Sequence, residues 1–181
     1  NLKLHNSAAE AALYAKNYND LNKVMHQVFQ NATAFEHKVE CYSIQMRECN
    51  ISRNYKETLK IGLFVLEQLG VNIPSEPTES FAMQEVQKAL AMIKNEAVDQ
   101  SILHEDNNNS NKSTMQILLD LTLSCYFFWP TGVPILTSRM IQYSLTNGVS
   151  KFSGVAFALF AMTASCKLDD YKEGYRIAQM S

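Results

Sequence analysis

The sequence predicts an all-α chain in which antiparallel helix pairs stack side by side as an α-solenoid, an α-α superhelix. Three observations carry this expectation. First, one octapeptide occurs three times: Asn17-Tyr18-Asn19-Asp20-Leu21-Asn22-Lys23-Val24, Asn54-Tyr55-Lys56-Glu57-Thr58-Leu59-Lys60-Ile61 and Asp170-Tyr171-Lys172-Glu173-Gly174-Tyr175-Arg176-Ile177. Copies one and two lie 37 residues apart and the third 116 further on, close to three more such steps. A fixed period of about 20–50 residues marks a solenoid. Second, each copy reads as a helix start. Asn17, Asn54 and Asp170 can accept a hydrogen bond from a first-turn amide. Asp20, Glu57 and Glu173 stand where a capping box places its acid, at the positive end of the helix dipole. Third, apolar residues recur at helical spacing along most of the chain, with only six Gly and four Pro among 181 residues, which argues against a β-rich fold.

In chain order, Leu4, Ala8, Ala11, Ala12 and Ala15 form the apolar stripe of a first helix to Lys16, its small residues allowing a neighbour to approach closely. Asn17 breaks it and opens a second helix with Tyr18, Leu21, Met25, Val28 and Phe29 inward. A third runs from about Ala34 to Cys49, with Phe35, Val39, Tyr42, Met46 and Cys49 inward and Glu36, Glu40, Ser43 and Arg47 on the other side. The fourth starts at Asn54, carries Tyr55, Leu59, Leu63, Leu66 and Leu69, and stops at Gly70. The tyrosine of each octapeptide, Tyr18, Tyr55 or Tyr171, is expected to pack on the preceding helix with its hydroxyl in water.

Residues 1–70 thus make two helix-turn-helix units of tetratricopeptide-like (TPR-like) kind, without that repeat's Trp/Leu/Gly pattern and at a longer spacing than its usual one of about 34. Residues 71–181 continue the same solenoid with diverged repeats. Val71 to Glu79, with Pro74 and Pro77, is a connector. A helix from about Ser80 to Asn95 turns Val86, Ala89, Leu90 and Ile93 inward. Gln100 to Lys112, with Asn107-Asn108-Asn109-Ser110-Asn111, is an Asn-rich exposed loop that cannot bury apolar area. Ser113 and Gln116 form a capping-box pair that opens an apolar helix to Phe128. Pro134 sits in the first turn of the next, which stops at Asn147-Gly148. Ser150 to Cys166 is apolar almost all round, which predicts burial on all sides at the centre of the stack.

With 16 basic and 18 acidic residues, nothing marks a nucleic-acid surface. The uncharged run Leu121 to Ser138 is broken by prolines, a glycine and hydroxyls, so no membrane span is expected. Cys41, Cys49, Cys125 and Cys166 include no CxxC and no His at finger spacing; free, buried, reduced thiols in a cytoplasmic chain are the expectation. Sequons at Asn31, Asn50, Asn108 and Asn111 are taken as accidents of an Asn-rich chain.

No phosphate-loop, dinucleotide, zinc-protease or nucleophile-elbow string is present. His5, His26 and His37 have no Asp or Cys at catalytic spacing, and His104-Glu105 is not a metal motif. The expectation is a non-enzyme with no catalytic, cofactor-binding or metal residues. The cluster Tyr126-Phe127-Phe128-Trp129 reads as core at a helix end; the alternative is a small-molecule pocket near Trp129.

Tyr55 to Val71, Pro74-Ser75-Glu76-Pro77, Gln87-Lys88-Ala89-Leu90, Met140 to Gly148 and Asp170 to Arg176 resemble the helical region of large signalling proteins that join a protein-kinase-like domain, an AAA-type ATPase, a GAF domain and often a histidine kinase. The resemblance covers most of the chain from about residue 30, and the Asn-rich loop departs from it. It implies a fragment of a larger chain and an interaction or scaffold role. Such a segment would contact a protein or neighbouring domains of the same chain, and couple an ATPase domain to a kinase or sensor output.

Overall fold

The structure of the chain, a computed structural model, describes residues 2–95 and 108–181. Those residues form helices α1 (Leu2–Tyr14), α2 (Tyr18–Asn31), α3 (Glu36–Ile51), α4 (Tyr55–Gln68), α5 (Glu79–Asn95), α6 (Asn109–Phe128), α7 (Gly132–Asn147), α8 (Ser153–Leu168) and α9 (Tyr171–Ala178). No strand occurs among them, so the chain is all-α.

The three octapeptides open α2, α4 and α9, each with its tyrosine as first helical residue. Each reverses the chain in the same way. The residue before the cap, Lys16, Arg53 or Asp169, takes a left-handed conformation with φ of 57°, 59° and 52°, the only non-glycine positive φ values among the described residues. The next amide then closes the preceding helix: Asn17 N donates to Ala12 O at 2.9 Å, and Asn54 N to Cys49 O at 2.7 Å. Such a conformation costs an L-residue about 1–2 kcal/mol, which the helix packing on either side must offset.

The caps themselves divide. Asn17 Oδ1 accepts from Asp20 N at 3.3 Å and Asp170 Oδ1 from Glu173 N at 3.0 Å, whereas the Asn54 side chain makes no cap bond. Its helix start is held instead by Thr58 N donating to Asn54 O at 3.1 Å. The acids do not complete a capping box. They pair forward with the recurring base: Asp20 with Lys23 at 3.8 Å, Glu57 with Lys60 at 3.6 Å, Glu173 with Arg176 at 2.8 Å. At i,i+3 on an exposed helix face such pairs contribute about 0.2–0.5 kcal/mol, so the motif's base serves the helix start locally.

Each helix opened by an octapeptide packs on the one before it: α1 on α2, α3 on α4, α8 on α9. The helix α6 packs likewise on α7. Between these pairs α3 contacts α1 and α2, α6 contacts α3 and α4, and α8 contacts α7; α5 lies chiefly on α7. At the α4–α6 crossing Gly62 is required by proximity, because a Cβ there would come within 2.6 Å of Leu121 Cγ, which is fully buried. A main core runs from Val39 to Ile177 through Leu66, Leu118, Leu136 and Phe160, and a smaller one joins α1 and α2 to Cys41 and Ile44 of α3.

Several expectations are overturned. In α1 the buried positions are Asn6, Ala9, Ala12 and Leu13; Leu4, Ala8 and Ala11 face outward, and Ala15 is exposed in the turn that follows. The Ala-rich sequence offered two stripes of similar apolarity, and packing against α3 selected the one that carries Asn6. In α3, Ser43 is buried and Arg47 half-buried, because α3 is enclosed by α1, α4 and α6 and has no wholly free side. The helix α6 begins at Asn109, four residues before the expected Ser113. Asn108 is its cap, accepting from Ser110 N at 2.9 Å, so the end of the Asn-rich segment is helical. The rest of that segment, with His104 and Glu105, lies outside the described residues. The octapeptide tyrosines do not share one setting: Tyr18 and Tyr171 are exposed, and the half-buried Tyr55 stacks on Phe127 of α6 at 5.2 Å. Tyr126, Phe127 and Phe128 are exposed rather than core. Finally, α8 is buried on one side only.

A polar seam crosses the middle of the fold. Asp120 of α6 accepts from Ser43 Oγ at 2.5 Å and from Gln116 Nε2 at 2.8 Å. Asn50 Oδ1 accepts from Ser124 Oγ at 2.6 Å and Thr58 Oγ1 at 3.1 Å, tying α3 to α4 and α6. Arg47 Nη2 donates to Glu10 Oε1 at 3.0 Å. Burial pushes the Asp120 carboxyl above its usual range, outweighing the Ser43 and Gln116 donors and the nearby Arg47 charge. A folded-state pKa above the unfolded one means that this carboxyl favours the fold only when protonated, and opposes it as pH rises through the folded value. Asp120→Asn is therefore expected to raise the urea midpoint at pH 7. The gain should shrink to nothing as pH falls below the unfolded value of about 4. Urea melts of both proteins at pH 3.5, 5 and 7 check this, and a gain independent of pH would refute the assignment.

Candidate functional site

An open groove of about 770 Å³ lies along the exposed sides of α6 and α8. The helix α6 contributes Leu119, Leu123 and Tyr126, at i, i+4 and i+7; α8 contributes Val155, Leu159 and Met162, with the same spacing. Each trio is therefore one helical stripe. Pro130, Val133 and Pro134 wall it at the α6–α7 turn. Leu123, Tyr126, Val155 and Met162 are 51, 68, 46 and 66 % exposed. The side of α8 opposite the groove carries Ala156, Phe157, Phe160 and Ala164, all at most 1 % exposed. The all-round apolarity of this helix therefore serves two ends: one side is core, and the other is a surface that water touches.

The two lining threonines and Lys167 are already engaged. Thr122 Oγ1 donates to Leu118 O at 2.9 Å, and Thr163 Oγ1 donates to Leu159 O at 3.0 Å and lies 3.2 Å from Thr137 Oγ1. Lys167 Nζ, at one end, donates to Glu79 Oε2 at 2.9 Å. That bond, with the charge of Lys167 and a further donor in Thr131, holds the Glu79 carboxyl below its usual range. A groove so lined recognises its occupant chiefly through apolar surface.

Trp129 does not line the groove. It is half-buried, and its ring lies over Gly132, where a Cβ would overlap it. Its neighbours Pro130, Val133 and Pro134 do line the groove. Cys41, Cys49 and Cys125 are buried, with burial raising their thiols to about 11, 11 and 12, so they stay protonated. Cys166 differs: it is exposed and lines the groove. His5 and His37 share a cleft with Thr33, and the His26 ring nitrogen lies 2.7 Å from Gln30 Nε2. No group of three or more His, Cys, Asp or Glu that could hold a metal occurs among the described residues. None of the described helices is long and apolar enough to cross a membrane. Asn50 is engaged in the polar seam, its Nδ2 donating to Asp120 O at 3.3 Å.

The groove was missed in the sequence because its residues are the same types as core residues; only the positions of α7 and α9 decide which stripe of α8 is left uncovered. Comparison with family models, with curated proteins and with solved structures returned no match.

Proposed function

We propose that this segment is a non-catalytic helical-repeat module, with its helix pairs stacked in the TPR-like manner, that holds the apolar face of a partner helix in the α6–α8 groove. The observation that supports this most directly is an exposed groove lined chiefly by apolar side chains, set out as one i, i+4, i+7 stripe on α6 and another on α8. An extended peptide brings backbone donors and acceptors that need partners, and this chiefly apolar lining offers few. A helix satisfies its own backbone and presents only side chains. The stripes rise about 10 Å along each helix at 1.5 Å per residue, so about two turns of a partner carrying apolar residues at i, i+3, i+4 and i+7 would fill them. In the multidomain proteins that the sequence resembles, the partner would be an adjoining domain, and docking would couple an ATPase domain to a kinase or sensor output. A cytoplasmic, reducing setting fits the free thiols.

A second reading has its own support. The groove's volume lies within the range of small-molecule sites, and Pro130, Val133 and Pro134 form a wall beside Trp129. Both readings are tested with two probes, a Leu-rich amphipathic helical peptide of four turns and a medium-chain fatty acid, titrated against the protein and its Leu123→Glu and Met162→Glu variants. The module reading expects peptide binding weakened at least tenfold by either substitution, with unchanged circular dichroism. Binding of the fatty acid alone would favour the small-molecule reading. Binding of neither, or nucleotide turnover by the segment, would overturn the proposal.

A further inference from the structure

The groove has two unlike ends. The helices α6, α7 and α8 are joined by short links, residues 129–131 and 148–152, so neighbours run antiparallel and α6 points the same way as α8. Side-chain contacts agree. At one end Glu79 accepts from Thr131 Oγ1 at 3.2 Å and from Lys167 Nζ at 2.9 Å, so one carboxylate meets both the turn that follows α6 and the last turn of α8. At the other end Lys112, near the start of α6, and Lys151, just before α8, line a single cleft of about 490 Å³.

The apolar stripes of the groove lead into that cleft. On α6, Lys112, Leu119, Leu123 and Tyr126 stand at i, i+7, i+11 and i+14, on one side of the helix. Lys151 stands four residues before Val155, where the α8 stripe begins. Neither lysine is in an ion pair among the described residues. Of the acids in the cleft, Glu10 is paired with Arg47 at 3.0 Å and Glu40 accepts from Asn6 Nδ2. Three bases, Arg47, Lys112 and Lys151, thus face two acids, and the amino ends of the α6 and α8 dipoles add about half a positive charge each. The far end has the opposite sign. Glu79 neutralises Lys167, Asp169 and Asp170 follow it, and the carboxyl ends of both dipoles lie there.

Resting on the helix-in-groove reading, we propose that the partner helix lies antiparallel to α6 and α8 and carries acidic residues in its last turn, held by Lys112 and Lys151. Its amino end then meets the negative end of the groove, and its carboxyl end the positive one. Tyr126 and Lys112 are 14 residues apart, a rise of about 21 Å, so the partner spans about four turns. The earlier turns are apolar and fill the stripes; the fourth is acidic.

The test uses acetylated, amidated Leu-rich helical peptides of four turns, with two Glu in the last turn, two in the first, or Gln in their place. Calorimetric titration at low salt compares wild type with Lys112→Gln/Lys151→Gln, whose fold circular dichroism verifies. Wild type is expected to bind the last-turn peptide at least fivefold more tightly than either other peptide, and the variant to lose that preference. Direction is read at Cys166, which is exposed in the lining beside Lys167 while Cys41, Cys49 and Cys125 are buried. A last-turn peptide with an activated disulfide at its amino end should couple to Cys166 at least tenfold faster than one with it at its carboxyl end. Equal binding of all three peptides, a preference that survives the lysine substitutions, or faster coupling from the carboxyl end would overturn the proposal and leave the helix-in-groove reading standing. Binding of none would overturn both.

Discussion

Replacing Arg139 with alanine is expected to destabilise the chain by about 3–5 kcal/mol, because it strands a buried carboxylate. Glu85 of α5 is 7 % exposed. It accepts from Arg139 Nη2 at 3.1 Å and from Gln142 Nε2 at 3.0 Å, both from α7. Arg139 Nε lies 2.9 Å from Glu85 Oε2, close enough for charge attraction but off the line of a hydrogen bond. The pair is therefore held by one good donor from each α7 residue together with the opposite charges. Since α5 lies chiefly on α7, this cluster decides how firmly α5 is held. Glu85→Leu with Arg139→Leu removes both charges together and should recover most of the loss. Urea midpoints of wild type, single and double variants make the comparison. A double variant as unstable as Arg139→Ala would show that shape, and not charge, joins α5 to α7.

Phe160→Ala should cost about 3–5 kcal/mol and Met162→Ala less than about 0.5, although the two residues stand two apart on one helix. Phe160 is fully buried and joins α8 to the main core, whereas Met162 is 66 % exposed in the groove wall. The contrast tests the one-sided burial of α8 directly. Were α8 enclosed all round, truncating Met162 would open a cavity and cost about 2–5 kcal/mol. Thermal or urea melts of the two variants distinguish these outcomes.

How much of this could be read from the residues is clearest at the octapeptides. Helix starts at Tyr18 and Tyr171 were legible because capping chemistry is local, the start at Tyr55 because its octapeptide repeats theirs although Asn54 makes no cap bond, and stops at Gly70 and Gly148 because only glycine sits comfortably at φ of 82° and 101°. The left-handed residues before the caps were not legible. Lys16 and Arg53 carry no signal for that conformation, which packing on both sides imposes. Sidedness was the other blind spot. In α1 two stripes were equally apolar, in α3 three neighbours draw polar residues inward, and in α8 every side looked buriable. Helical periodicity tells which residues share a stripe; only tertiary contacts tell which stripe is covered. The groove therefore had to come from coordinates.

The three reversals at Lys16, Arg53 and Asp169 have a bearing on how such a chain can change length. Each turn joins two helices through three residues or fewer, with the next amide bonded back to the helix just ended where Asn17 and Asn54 follow. There is no slack, and one added residue would rotate the following helix by about 100° and turn its core side to water. Growth is tolerated instead in the longer links between pairs, such as residues 69–78. Lineages of this chain should accordingly vary by gaining whole hairpins or lengthening those links, while the hairpin bends keep their size.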